Sequence, residues 1–287
     1  GMVDSGAARM VELIPRILRE NDVRFVLLTG DQIYSDDPGD LSLFSNPHLV
    51  ARSCPGKARL LDCTPAEIRR AYDLRYRIFW SMPGIREMYA KYPCYAAMDD
   101  HEIMDDWGSL PEHATPKYQN VARGARLAYV DYQGSRTLPP MANLPRSFHY
   151  GFTYGNIGVF VMDTRSERVA GPRNQLYSDV QLNDFRRFLA ANGHKKVLLI
   201  CCSVPVVHLP TWIARLGHWV FGPKVDFIDQ WAHPKNVAAR DAFLNVLHQH
   251  QQTHPQQRVA LVGGDVHIGC AFVVQWVGPA PRLFQFT

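Results

Sequence analysis

A layered α/β fold is the class that this sequence predicts, and three observations predict it. Short apolar runs of strand length recur at residues 25–29, 94–98, 157–162, 197–202 and 259–262. Segments with helical spacing alternate with several of these runs, the pattern of helices layered on a sheet. The runs also end alike, at Asp31, at Asp99-Asp100-His101, at Asp163, at Ser203, and at Asp265 with His267. In such sheets ligands gather beyond the carboxyl ends of strands, so the polar ends predict a site as well as a fold.

Each element has its own justification. Met10, Ile14, Ile17 and Leu18 set a helical spacing over residues 10–20, with Pro15 predicting a kink or a late start. The run 25–29 is apolar throughout, as a strand buried on both faces is. Residues up to 61 are rich in Pro, Ser and Gly and read as a long loop. Thr64-Pro65-Ala66-Glu67 then combines an N-cap, proline at the first helical position and Glu at N3. The helix it opens runs to about Ser81, where Pro83-Gly84 breaks it, and a shorter helix leads to Tyr92. The strand 94–98 delivers the acidic cluster, and a helix covers 117–132 despite Gly124.

Residues 147–162 alternate aromatic and small side chains around Tyr154-Gly155-Asn156, which predicts a hairpin. A helix over 179–190 stops near Asn192-Gly193, and the strand 197–202 follows. Residues 205–234 hold Trp212, Trp219, Trp231 and several histidines but no assignable period. A helix over 237–250 precedes strands at 259–262, 270–276 and 283–286. With no internal repeat and no linker, a single domain over 1–287 is expected.

Composition narrows the function classes. With 46% hydrophobic and 20% charged residues the 287-residue chain is ordinary for a folded soluble protein with a sizeable core. The net charge is only +4 and no long Lys/Arg run occurs, so neither nucleic-acid nor membrane-surface binding has electrostatic support. No apolar stretch is long enough to span a bilayer, and no signal peptide is legible from Gly1 onward, which leaves the compartment open. Most of the six cysteines lie in or beside apolar runs and read as buried thiols. Cys54 and Cys63 flank a loop and could pair in an oxidising compartment.

The chemistry points to metal. Carboxylates and imidazole are costly to bury without partners, and Asp99 beside Asp100 would repel unless something positive lies between or beside them. Such donors, without a thiolate-rich motif, suit hard or borderline cations. Two of these cations can share a hydroxide and polarise a phosphoryl group. Gly30 and Gly264 allow the sharp turns that such sites need. Asp100 and His101, as neighbours on an extended segment, are expected to point opposite ways.

Four motifs then appear in register: Gly30-Asp31-Gln32-Ile33-Tyr34, Asp99-Asp100-His101-Glu102 with Asp105-Asp106-Trp107, Asp163-Thr164-Arg165, and Gly264-Asp265-Val266-His267. Together they closely resemble the PhoD-like alkaline phosphatases of the metallophosphoesterase (calcineurin-like phosphoesterase) superfamily, from about Phe25 to the C-terminus. The resemblance implies a sandwich of two mixed β-sheets flanked by helices, and hydrolysis of phosphate mono- or diesters by a hydroxide held at a metal centre. It implies Asp31, Tyr34, Asp100, Asp265 and His267 as metal ligands, Asp31 bridging. His101 would not bind metal but would stabilise the transition state and protonate the leaving group.

Two or more ions are implied, iron and calcium first, with zinc or manganese as alternatives. Arg165 reads either as a clamp on the substrate phosphate or as a partner of Asp163 or a neighbouring acid. Asp229, with Trp231, resembles the family's Asp-x-Trp pair and could line the substrate site or be structural. Asp36, Asp37 and Asp40 could hold a calcium ion or form a solvated turn. Ser203 and His208 lie where the superfamily often has a histidine ligand.

The expected partner is a small phosphate ester, including lipid head groups or nucleotides as diesters; no protein partner is evident. The alternative class is a non-catalytic metal-binding or interaction domain derived from a phosphatase. The family's first strand, which carries a further ligand, has no counterpart before Phe25, and Gln285-Phe286-Thr287 matches a segment that normally continues. The chain therefore reads as trimmed at both ends, with a metal complement that is short of one ligand.

Overall fold

The computed structural model describes residues 5–36, 39–139, 143–221, 226–278 and 281–287. Its contacts divide the chain into two units that interleave in sequence. The first holds Gly1–Ala96, Asp100–Asp105 and Ala114–Leu144; the second holds Ala97–Asp99, Asp106–His113 and Pro145–Thr287.

In the first unit, α1 (Ser5–Glu20) contains Pro15, and the loop after it feeds β1 (Val26–Leu28). The stretch expected to be loop contains α2 (Pro47–Ser53), whose Asn46 side chain caps the N–H groups of His48 and Leu49. An Asn followed by proline at the first helical position is a start signal that composition alone obscures. The capping box at Thr64 and Glu67 opens α3 (Pro65–Trp80) as expected. α3 ends before Pro83-Gly84 as expected, and Pro83 is the first residue of the shorter helix α4 (Pro83–Lys91). β2 (Cys94–Ala96) pairs parallel with β1, Val26 opposite Cys94 and Leu28 opposite Ala96.

α5 (Pro116–Tyr132) packs on α3. Gly124 lies in that contact: a Cβ there would meet Ile68 at 2.5 Å. The glycine weakens the helix locally but permits this approach. Tyr72 and Arg75 of α3, both fully buried, hydrogen-bond to the carbonyls of Ile103 and Tyr34. One helix thus holds both loops of this unit that carry candidate residues.

The second unit is built on a six-stranded mixed sheet in the order β3-β4-β5-β6-β8-β7. β3 (Tyr150–Tyr154) and β4 (Ile157–Val161) form the expected hairpin. α6 (Asp179–Ala191), β5 (Val197–Cys201), α7 (Thr211–Phe221), α8 (Val237–Thr253), β6 (Arg258–Val262), β7 (Ala271–Val274) and β8 (Leu283–Phe286) complete it. α7 occupies part of the segment that showed no period. β4, β5, β6 and β8 run parallel, while β3 and β7 pair antiparallel at the edges.

The core is apolar and aromatic, with Phe160, Phe185, Ile200, Trp231, Phe243 and Leu261 in one buried cluster. Because β4, β5 and β6 are parallel and adjacent, Asp163, Ser203 and Asp265 leave the same end of the sheet. Among the described residues no helix is long and apolar enough to cross a membrane.

Candidate metal centre

The first unit carries a turn built on β1. Gly30 has φ 116° and Asp31 φ 55°, both in the left-handed region. For a non-glycine residue this conformation is uncommon and needs support. Glu102 supplies it: its carboxylate accepts the N–H of Asp31 at 3.1 Å and of Gln32 at 2.6 Å, with Glu102 fully buried. The Gln32 side chain closes the turn on the Gly30 carbonyl at 2.6 Å.

The Asp100 stretch is a turn, not an extended strand: the Asp100 carbonyl accepts from Ile103 and Met104, each at 2.6 Å. The expectation that Asp100 and His101 diverge therefore fails, since it assumed an extended backbone. Asp31, Asp100 and His101 instead present donor atoms that all lie within 4.8 Å of one another.

Two further groups shape His101. Its ring lies against that of Tyr34, centroids 4.2 Å apart. Its Nδ1 is 2.6 Å from Asp36 Oδ1, and Asp36 also accepts the N–H of Asp105. Burial acts to lower the His101 pKa, but the hydrogen bond to Asp36 and the charges of Asp100, Asp36 and Asp105 outweigh it and lift the imidazole to about 9. Asp36, read above as part of a calcium loop or a solvated turn, is therefore engaged with His101. Asp40 is exposed, and Asp37 lies outside the described residues.

The second unit gathers its acids around Arg165. The guanidinium, fully buried, bonds to Asp99 through Nε, to Asp229 at 2.6 Å through Nη1 and to Asp265 at 3.5 Å through Nη2. Arg168 adds a bond to Asp229 at 3.0 Å, and Ser109 another at 3.0 Å. Burial acts to raise the Asp229 pKa, but the two guanidiniums and these hydrogen bonds win and hold it at about 2. Arg165 is the positive group that relieves Asp99 beside Asp100. All three of its nitrogens face carboxylates, the second of the two roles read for it, that of partner to neighbouring acids. Asp229, 3% exposed, is likewise packed inside.

Asp163 pairs not with the Arg165 side chain but with backbone N–H groups, those of Phe148 at 2.6 Å, Arg165 at 3.0 Å and Ser166 at 2.9 Å. Ser203 donates to Asp99 at 2.9 Å, so this strand end supports a carboxylate. Asp265 (φ 66°) and His267 (φ 54°) share a left-handed turn after β6, with His267 exposed. Trp107 stacks on His113 at 5.0 Å, a packing role. Sequence reasoning missed Glu102 and Asp36 as supports, and missed Arg168 and Ser109 altogether. Glu102 was legible only as an acid inside its motif and Asp36 only as one of the acids after Tyr34; no local signal marks the others.

The carboxylates of Asp31 and Asp100, with the His101 ring converging on them, are oxygen donors that fit a divalent or trivalent cation of hard or borderline character. A neighbouring set, Asp36, His101 and Asp105, converges within the same limit, although Nδ1 of its imidazole already faces Asp36.

In comparison with known proteins, the chain is similar in fold to PhoD, with a TM-score of 0.62 and 18% identity over 91% of this chain and 50% of that one. It is also similar to purple acid phosphatase PPD1 from seeds of yellow lupin (Lupinus luteus), with a TM-score of 0.54 and 11% identity over 96% of this chain and 38% of that one. The chain thus spans about half or less of these two structures. No curated protein matches it. The profile of the PhoD-like phosphatases matches residues 14–285, a span that contains all four motifs. A match of that extent makes this chain a member of the PhoD-like phosphatase family.

Proposed function

We propose that this chain hydrolyses phosphate mono- or diesters at a metal site built on Asp31 and Asp100, with Tyr34 as a further ligand. The observation that carries the reading is the convergence of Asp31, Asp100 and His101 within 4.8 Å in a chain of this family. Asp265 and His267 are proposed as metal ligands on their motif, Gly264-Asp265-Val266-His267. A bound cation would supply Lewis-acid polarisation of a phosphoryl oxygen.

The chain's own residues do the rest. Glu102 holds the Asp31 turn in its left-handed conformation. Asp36 orients the His101 ring and fixes a proton on Nδ1, which leaves Nε2 to serve the departing alkoxide. Arg165 acts from beneath the carboxylates, neutralising Asp99, Asp229 and Asp265 rather than touching substrate. Iron and calcium are the proposed metals, on family resemblance.

Assay of an aryl phosphate monoester and a diester with added divalent ions tests the reading. Metal-dependent release of the phenol supports it. Metal binding without hydrolysis of either ester would leave the non-catalytic alternative standing.

A further inference from the structure

Among the described residues, five glutamines of the second unit are buried, and four of them use both ends of the amide. Gln181 Oε1 accepts the Asp163 N–H at 2.8 Å, and its Nε2 donates to the Asp163 carbonyl at 2.9 Å. Gln285 Oε1 accepts the Val207 N–H at 2.9 Å, and its Nε2 donates to the same residue's carbonyl at 2.6 Å. Gln251 is met by Trp276 Nε1 and the Arg282 carbonyl, and Gln257 by His250 Nε2 and the Asn192 carbonyl. Gln230 differs. It is 4% exposed, and its Nε2 donates to Asp265 Oδ2 at 3.4 Å, while its enclosed Oε1 has no hydrogen-bond partner.

Turning the amide over would not help. A carboxylate only accepts, so the NH2 group must face Asp265 and the oxygen must face away. The backbone is held as well. The Gln230 carbonyl accepts from Asn236 Nδ2 at 2.8 Å and from the His233 N–H at 2.9 Å, and the next residue, Trp231, lies in the core cluster. A buried acceptor without a partner is rare and costly, and this one belongs to a side chain that touches a candidate metal ligand.

We propose that Gln230 is part of the metal centre, its Nε2 orienting the Asp265 carboxylate and its Oε1 serving as a neutral oxygen donor to the cation that Asp265 binds. The inference rests on Asp265 as a ligand. Hard cations such as calcium take amide oxygens alongside carboxylates. A neutral donor also adds coordination without adding to the negative charge that Arg165 offsets at Asp265.

The test is calcium binding by calorimetry to the chelator-stripped full chain, with the thermal midpoint of the metal-free protein measured beside it. Gln230→Met keeps the unbranched shape and removes both amide ends. It should weaken calcium binding roughly 10- to 100-fold, while the metal-free midpoint holds or rises because an unpartnered acceptor is gone. Gln230→Glu keeps an oxygen donor and adds charge. It should lower the metal-free midpoint by repulsion from Asp265, yet bind calcium at least as tightly as the wild type. Wild-type affinity in the Met variant, or weaker binding than the wild type in the Glu variant, would each overturn the proposal. Asp265→Asn separates the two readings. If it loses calcium and Gln230→Met does not, only the role of Gln230 fails; if it keeps calcium, both fail. A wild-type chain that binds calcium but hydrolyses neither ester leaves Gln230 in place and removes the hydrolase reading.

Discussion

Nδ1 of His101 lies 2.6 Å from Oδ1 of Asp36, and Oδ2 of the same carboxylate accepts the N–H of Asp105. One acid thus fixes both the ring and the turn that carries it. If Asp36 only solvated its loop, its loss would leave catalysis alone. As a positioning residue, Asp36→Asn should cut kcat by roughly 10- to 100-fold while bound metal stays near its wild-type level. Unchanged kcat would remove Asp36 from the mechanism.

His101→Ala should keep its metal and lose roughly two to four powers of ten in kcat. The loss should be greatest for esters with poor leaving groups, since those most need a proton. Comparing a nitrophenyl with an alkyl phosphate checks this. If the variant loses metal in step with the imidazole, His101 is a ligand and its assigned role is wrong.

Arg165 is 0% exposed and bonded to Asp99, also at 0%, and to Asp229, at 3%. Removing one partner of a buried ion pair costs roughly 3–5 kcal/mol, because a charge is left without compensation. Arg165→Leu should therefore lower the free energy of unfolding by about that much in urea titration. A change below about 1 kcal/mol would mean that water reaches these acids when the arginine is gone.

Asp229 sets a pH dependence. Its carboxyl in the folded chain is depressed to about 2, against an ordinary value near ~3.9. A depressed folded value contributes stability that is fully present above the unfolded value and is lost as pH falls through the folded one. Stability measured from neutral pH downward should fall below about pH 4, and Asp229→Asn should flatten that part of the curve. Parallel curves for the two proteins would show that Asp229 is not the group responsible.

Gly124 offers a contest between two effects. Alanine in a helix interior gains about 1 kcal/mol in propensity. Here its Cβ would lie 2.5 Å from Ile68 and 2.8 Å from the Pro65 carbonyl, and forcing extra carbon into packed space costs roughly 1–3 kcal/mol. The clash should win, so Gly124→Ala should lower the thermal midpoint. A rise would mean that α3 and α5 separate easily.

Much of this was legible along the chain. The Thr64–Glu67 box, the hairpin around Gly155, and the acids that end β4 and β6 are local patterns with local causes. What failed depended on contacts distant in sequence. Asp100 and His101 were placed on an extended segment, but the backbone turns there, so both side chains face one region. α2 hid inside a Pro- and Ser-rich stretch whose one helix signal was Asn46-Pro47. The choice of Arg165's partners among Asp163, Asp99, Asp229 and Asp265 required the sheet order. No linker marked the division into two units because the chain alternates between them within residues 97–113.

The central claim, metal-dependent hydrolysis at Asp31 and Asp100, is met most directly by one paired titration. Chelator-stripped protein is reloaded stepwise with a single cation, and bound metal and aryl phosphate turnover are measured on the same samples, for the wild type and for Asp31→Asn. Turnover should rise from background in proportion to bound metal in the wild type, and Asp31→Asn should lose both. Turnover that persists in the stripped protein, or an Asp31→Asn variant that keeps both metal and activity, would contradict it.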